Sequence, residues 1–294
     1  MKLEILLIAP PVMDKFRGRY RPIAMDHERV CPPYGIYMLS SVLKLAGHEV
    51  ILADLIAEGT RNIKKYFSHL ESCSLVGIGA TSLSWPTALD VIKQIKTIRK
   101  DVPIVLGGIH PTMFDRYILS KYPVQFIIRG EAENAFPLLC RALEEKGDLR
   151  KVPNLSWRTS DGRVVRNLLG PLIADKELGS FPLPDYDSLP RQIYQSLSIE
   201  SSRGCAFDCS FCSTSYRRTW RSIPAEKFVD RLEIIMGYLD LTRAKTIHII
   251  DDEFSLDTKR AIEIAKIIRH RGLDPKLFYD CRSRDILSDG FIFK

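Results

Sequence analysis

Short apolar runs alternate with amphipathic stretches through the first half of the chain. The runs fall at residues 4–9, 49–54, 75–80, 104–106 and 126–128, and each is apolar almost throughout. Strands covered on both faces read this way, because neither face meets water. Between and after them, residues 34–45, 63–70, 87–99, 114–120 and 135–145 carry apolar side chains at helical spacing. This alternation predicts an α/β domain over residues 1–146, with a doubly wound, Rossmann-like parallel sheet.

The rhythm changes after Gly147. Residues 155–159 and 163–166, joined across Ser160-Asp161-Gly162, predict a small β-hairpin. Phe181-Pro182-Leu183-Pro184-Asp185-Tyr186 is extended, since proline cannot continue a helix and restricts the residue before it. Residues 147–196 are therefore read as a linker carrying the hairpin. From residue 197 the strand–helix rhythm restarts, with strands at 197–201, 246–250 and 276–281 and helices at 225–239 and 258–271.

In a doubly wound sheet, ligands bind beyond the carboxyl ends of the strands. Those ends carry Pro10-Pro11, Thr81-Ser82, Gly107-Gly108 and Arg129-Gly130-Glu131. Paired glycines let a flat ligand approach the backbone closely, although glycine is also the ordinary residue of a tight turn.

Bulk composition narrows the classes. Apolar residues make up 45% and charged residues 27% of 294, which describes a globular chain and excludes a disordered one. The net charge of +7 is spread without long single-sign runs, so nucleic acid is not an expected partner. No stretch approaches the ~20 apolar residues of a membrane span, and the first apolar run is too short for a signal peptide. A cytoplasmic, reducing location is expected, where seven cysteines point to metal or redox chemistry more than to disulfides.

The cysteines concentrate in Ser202-Arg203-Gly204-Cys205-Ala206-Phe207-Asp208-Cys209-Ser210-Phe211-Cys212. Cys205, Cys209 and Cys212 stand at C-x₃-C-x₂-C spacing on a loop after a strand, where three thiolates can converge on one centre. Zinc sites usually draw four ligands from two pairs, and no fourth ligand lies close by. Three thiolates suit an iron–sulfur cubane with one iron left open. Arg203, Arg217, Arg218 and Arg221 could favour ionised thiols there. A structural zinc site remains the alternative.

With Phe211 directly before the last cysteine, this stretch resembles the signature of the radical S-adenosylmethionine enzymes. The resemblance implies a 4Fe-4S cluster held by Cys205, Cys209 and Cys212. It implies S-adenosylmethionine chelated to the open iron, and a reducing electron donor such as flavodoxin or ferredoxin. Phe211 would then lie near the adenine, although it could equally pack a core. Asp251-Asp252-Glu253-Phe254 closes the second strand of this region. By the same resemblance Glu253, or nearly as well Asp252, would hold the S-adenosylmethionine amino group, a reading placed ahead of the alternative, a helix cap.

The first half adds to this. Pro-Pro after the first strand, Gly107-Gly108-Ile109-His110-Pro111 and Arg129-Gly130-Glu131-Ala132-Glu133 resemble the cobalamin-binding domain of one radical subgroup. That resemblance spans essentially the whole chain. It makes Pro10, Thr81, Ser82, Gly107, Gly108, Gly130 and Glu131 candidates for the corrinoid face. Domains that ligate cobalt from below carry Asp-x-His-x-x-Gly, whereas Asp26-His27 has the wrong spacing and His110 follows a different strand. Cobalamin is thus expected without a lower histidine.

The implied activity is methyl transfer, or radical cyclisation or rearrangement, on a small-molecule substrate. A non-catalytic iron–sulfur or corrinoid-binding module and a zinc-binding interaction protein are the alternatives. Residues 197–294 would form the N-terminal portion of a partial β/α barrel. Only three of its strands precede Phe291-Ile292-Phe293-Lys294, so the chain is read as a fragment of a longer one.

Overall fold

The computed structural model describes residues 2–16, 19–22, 30–212 and 216–287. The chain divides into two compact units. Pro33–Leu172 and Pro184–Ser188 belong to the first, together with the described residues before Val30. Val30–Pro32, Ile173–Leu183 and the described residues from Leu189 onward form the second.

In the first unit the strands are β1 (Glu4–Ala9), β2 (Met13–Phe16), β3 (Arg19–Pro22), β4 (Glu49–Asp54), β5 (Leu75–Gly79), β6 (Ile104–Gly107), β7 (Phe126–Ile128), β8 (Leu155–Arg158) and β9 (Val164–Arg166). The helices are α1 (Tyr34–Leu45), α2 (Leu55–Glu58), α3 (Phe67–Ser72), α4 (Trp85–Ile98), α5 (Ile109–Lys121) and α6 (Ala135–Glu144). The main sheet runs β4-β1-β5-β6-β7-β8-β9. Its first five strands are parallel, and β8 and β9 add to the edge antiparallel. The separate pair β2–β3 is an antiparallel hairpin.

The five apolar runs become the five parallel strands. Ile5 through Ala9 are all buried, as a strand between two helical layers requires. Leu6 and Ile8 pack with Val91, Ile92 and Ile95 of α4 in one apolar core. Burying each such side chain fully is worth about 1.5–3 kcal/mol. Numbered among themselves, the parallel strands have the order 2-1-3-4-5, so chain direction across the sheet reverses between β1 and β5. Open sheets of this kind bind ligands at that reversal.

Two local differences from the pattern have clear causes. A helix was expected from residue 114, but α5 begins at Ile109, directly after Gly108, and is kinked at Phe114 (φ −116°, ψ 24°). Pro111 sits in its first turn, where a backbone N–H has no partner to lose. The hairpin at 155–166, expected within a linker, instead extends the first sheet, with Phe126 opposite Trp157. Residues 147–196 are thus shared between the two units.

The second unit holds α7 (Asp175–Leu178), β10 (Ser196–Ile199), β11 (Ser202–Cys205), β12 (Thr219–Ser222), α8 (Ala225–Met236), β13 (Thr246–Ile249), α9 (Thr258–His270), β14 (Leu277–Tyr279) and α10 (Ser283–Leu287). Strands β10, β13 and β14 make a parallel sheet, crossed by α8 and α9 as in the opening of a β/α barrel. Leu197, Ile199, Ile247 and Ile249 are fully buried on one face, with Phe228 and Leu232 of α8 and Ile264 of α9 also in the core. Alternation puts Ser196, Ser198 and His248 on the other face.

Candidate functional site

In the first unit the expected residues line the carboxyl ends of adjacent strands. Pro10 is buried after β1, while Thr81 and Ser82 are exposed after β5. Their turn is closed reciprocally: Thr81 N–H donates to Ser84 Oγ (3.0 Å), and Ser84 N–H to Thr81 Oγ1 (3.1 Å). Next along the sheet, Ala80 N–H donates to Gly107 O (3.0 Å). Gly108 has φ +93°, and a Cβ there would stand 2.6 Å from Ala80 O. The backbone can make this turn only without a side chain. A Cβ on Gly107 would meet nothing, so open space borders that residue.

At the next strand end Gly130 is exposed, and its N–H donates to Thr112 Oγ1 (3.1 Å). Glu131 is half-buried, and its carbonyl accepts from Asn154 Nδ2 (3.0 Å). Arg129 is buried beside Asp115 (3.5 Å), which also pairs with Arg166 (2.8 Å) and accepts from Ser156 Oγ (2.6 Å). This buried cluster anchors the root of the β7 loop.

His110 is built into the domain. Its Nδ1 lies 3.1 Å from Ser82 Oγ, and its ring stacks on Trp85 at 4.7 Å with Phe114 at 4.8 Å. Burial holds its pKa below the usual histidine value. Asp26 and His27 lie outside the described residues, as do the last residues from 288 onward.

In the second unit an unexpected antiparallel ladder carries the cysteine loop. Strands β11 and β12 pair Gly204 with Trp220 and Cys205 with Thr219. Gly204 has φ +81°, and a Cβ there would collide with the backbone oxygens of Thr219 and Tyr216. The loop departs from Cys205, whose N–H donates to Tyr216 O (3.2 Å). Cys212 N–H donates to Cys209 O (3.0 Å), turning the chain so that these two cysteines share one bend. Cys205 and Cys212 are half-buried and Cys209 is exposed; all seven cysteines are free thiols.

The arginines nearby have partners of their own. Arg203 clasps Glu200 through two 2.8 Å hydrogen bonds, and Arg221 donates to Ile173 O (2.7 Å). Arg217 pairs with Asp208 at 3.0 Å, Arg218 pairs with the same carboxylate, and Arg217 also reaches Cys209 O (3.4 Å). From the end of β14, Arg282 lies 3.9 Å over the Phe207 ring, a cation–π contact on the loop. Phe211 is 89% exposed, so core packing is not its role here.

The three acids after β13 separate into distinct places. Asp251 is buried and accepts from Ser201 N–H (2.7 Å) and Ser202 Oγ (2.6 Å), which ties β13 to the root of the cysteine loop. Asp252 is exposed. Glu253 is buried and accepts from Ser255 Oγ (2.6 Å). None of the three caps α9; Asp257 does, accepting from Arg260 N–H (3.1 Å). The bracing role of Asp251 was missed from sequence, although an acid after one strand facing Ser201-Ser202 after its neighbour was a readable signal.

Among the described residues, no three His, Cys, Asp or Glu side chains are gathered as ligands of a single metal ion. A cubane places each thiolate on a different iron, so its donors need not meet at one point. The donor set fits such a cluster: three thiols on one short loop, rooted in a two-stranded ladder. At the carboxyl strand ends of the first unit, Thr81, Ser82 and Gly130 are exposed and open space borders Gly107. Among the described residues, no helix is long and apolar enough to cross a membrane.

Residues 20–140 match the B12 binding domain family. An uncharacterized methyltransferase of Pyrococcus horikoshii is 31% identical over 92% of this chain and 58% of its own length. The anaerobic magnesium-protoporphyrin IX monomethyl ester cyclase of a Synechocystis species is 28% identical over 68% of this chain and 42% of its own. This chain therefore spans about half the length of these relatives. The cobalamin-dependent S-adenosylmethionine radical enzyme OxsB has the same fold over 98% of this chain and 40% of its own, with TM-score 0.76 at 20% identity.

Proposed function

We propose that this chain, which belongs to the cobalamin-dependent radical S-adenosylmethionine proteins, holds a 4Fe-4S cluster, S-adenosylmethionine and cobalamin, and acts on a small-molecule substrate. The reaction is methyl transfer, or radical cyclisation or rearrangement; one relative is named a methyltransferase and another a cyclase. When bound, the cluster and S-adenosylmethionine supply radical chemistry, and the corrinoid supplies a carrier for a methyl group.

The chain's own residues take these parts. Cys205, Cys209 and Cys212 hold the cluster. Phe211 offers its exposed ring to the adenine, and Glu253 offers a carboxylate at the end of β13, with Asp252 beside it. Pro10, Thr81, Ser82, Gly107, Gly108, Gly130 and Glu131 form the face for the corrinoid. Cobalamin is held without a lower histidine ligand; among the described residues, His110 is engaged with Ser82 and Trp85. Residues 1–146 and 197–294 supply the cores of two functional domains, with 147–196 shared between them. The electron donor is of the flavodoxin or ferredoxin class, and the location is cytoplasmic, which suits an oxygen-sensitive cluster and free thiols.

One observation carries the reading: the three thiols share a loop rooted beside a buried carboxylate at the end of the next parallel strand. Anaerobic purification, with iron, sulfide and cobalt quantified together, tests it. About four iron and four sulfide per chain are expected, lost on replacing the three cysteines with alanine, with cobalamin retained. Zinc without iron or sulfide would mean an interaction protein. Cluster absorbance without 5′-deoxyadenosine formation would mean a binding module.

A further inference from the structure

The face of the β10–β13–β14 sheet opposite α8 and α9 carries a group that the cofactor reading leaves unused. Register aligns Ser198, His248 and Phe278 across the three strands. The His248 ring lies flat on Phe278, with centroids 4.1 Å apart and planes at 15°. Over this row passes Val30–Pro32, held by Ser196 N–H donating to Val30 O (2.9 Å). Cys31 Sγ thereby sits 3.5 Å from His248 Nδ1 and 3.7 Å from Ser196 Oγ.

Burial pushes the Cys31 thiol up, against the hydroxyls of Ser198 and Ser196, and pushes His248 down, against Asp280. Both groups are therefore neutral near pH 7. A neutral thiol has one proton to give, while Ser196 Oγ already donates its own to Val30 O (3.2 Å). Of the acceptors around the thiol, Nδ1 at 3.5 Å is nearer than Ser196 Oγ at 3.7 Å, and an S–H donated to Nδ1 leaves the imidazole proton on Nε2. Among the described residues Nε2 has no hydrogen-bond partner, and it is not a buried atom left unsatisfied.

We propose that Cys31 holds His248 as its Nε2–H tautomer, and that this N–H is a substrate-binding donor on the face of the sheet opposite α8 and α9. The ligand class is a flat group bearing a neutral acceptor oxygen, carbonyl or hydroxyl. Phe278, 38% exposed, supplies an apolar wall for the flat part, and nearby Asp280 disfavours an anionic acceptor. The substrate role rests on the enzymatic reading above, with Cys31 the positioning residue and His248 the group that touches substrate.

The protein as purified, labelled with ¹⁵N-histidine, gives the test by long-range ¹H–¹⁵N spectroscopy, with His248→Gln assigning the signal. The wild type is expected to show a protonated Nε2 and a bare Nδ1. Cys31→Ala should shift the tautomer ratio several-fold toward Nδ1–H, and Cys31→Ser should restore it. Millimolar benzamide, a flat ring with a carbonyl, should move the Nε2–H resonance saturably. A wild-type Nδ1–H tautomer, an unchanged ratio in Cys31→Ala, or no saturable shift with benzamide overturns the proposal. The wild-type spectrum decides even where Cys31→Ala does not fold. These readings need no cluster, S-adenosylmethionine or cobalamin, so the site and the cofactor reading fail separately.

Discussion

Asp251 accepts a 2.7 Å hydrogen bond from the backbone N–H of Ser201, joining the end of β13 to the residue that leads into β11 and the cysteine loop. The same carboxylate takes the hydroxyls of Ser201 and Ser202, and is buried. Arg260, donating to Ser201 O (2.8 Å), closes the group from α9. The ligand loop is thus rooted in a buried polar network rather than in apolar packing.

Asp251→Asn tests that root. An amide has one acceptor oxygen for three donors and brings two donors of its own. Leaving such buried groups unpaired costs about 1–3 kcal/mol each. A fall of that order in urea unfolding of the second unit is expected, together with reduced iron after anaerobic reconstitution. Unchanged midpoint and iron content would count against the network.

Gly204→Ala tests the ladder. At φ +81° a Cβ meets the backbone of Thr219 and Tyr216, which cannot move without unpairing β11 from β12. Strain of about 1–3 kcal/mol follows at such a position. Cluster absorbance and iron content should drop several-fold, while cobalamin binding holds.

Gly108→Ala makes the converse case. Its Cβ would stand 2.6 Å from Ala80 O, pushing β5 and β6 apart at their carboxyl ends. Cobalamin binding, followed by its visible spectrum in a titration, should weaken at least tenfold, with iron loading unaffected. A Gly107→Ala control has open space around it and should change binding much less.

Asp185 gives a pH-dependent prediction. Burial pushes its pKa up, but hydrogen bonds from Lys44 Nζ (2.6 Å), Ser40 Oγ (2.6 Å) and Ser188 Oγ (2.9 Å) outweigh that and hold it below the usual carboxylate range. A depressed folded-state pKa stabilises above the unfolded value of about 3.9 and ceases to as pH falls through the folded value. The stability advantage of wild type over Asp185→Asn should therefore be full at pH 6 and shrink below about pH 4. Paired denaturation curves across that window measure it; a constant difference would refute the assignment.

Much of the scaffold could be read from residue pattern alone. The runs at 4–9, 49–54, 75–80, 104–106 and 126–128 became β1 and β4 to β7, because a strand covered on both faces must be apolar along its length. The C-x₃-C-x₂-C spacing and the residues after each strand were local features as well. The helix start at Ile109 was hidden because Gly-Gly-x-His-Pro reads as a turn, and only the packed structure shows Pro111 seated in a first helical turn.

What the sequence determined by itself was therefore the type and order of the main parallel strands and their helices, and the cysteine loop, all set within a few residues of chain. Tertiary structure decided what depends on distant partners. It set the 2-1-3-4-5 strand order, attached the 155–166 hairpin to β7, and paired β11 with β12. It also sorted Asp251, Asp252 and Glu253 into brace, exposed acid and buried acid, and brought Cys31 to His248 across 217 residues. Pairing and burial are properties of neighbours in space, and no local pattern encodes which distant residue a side chain will meet.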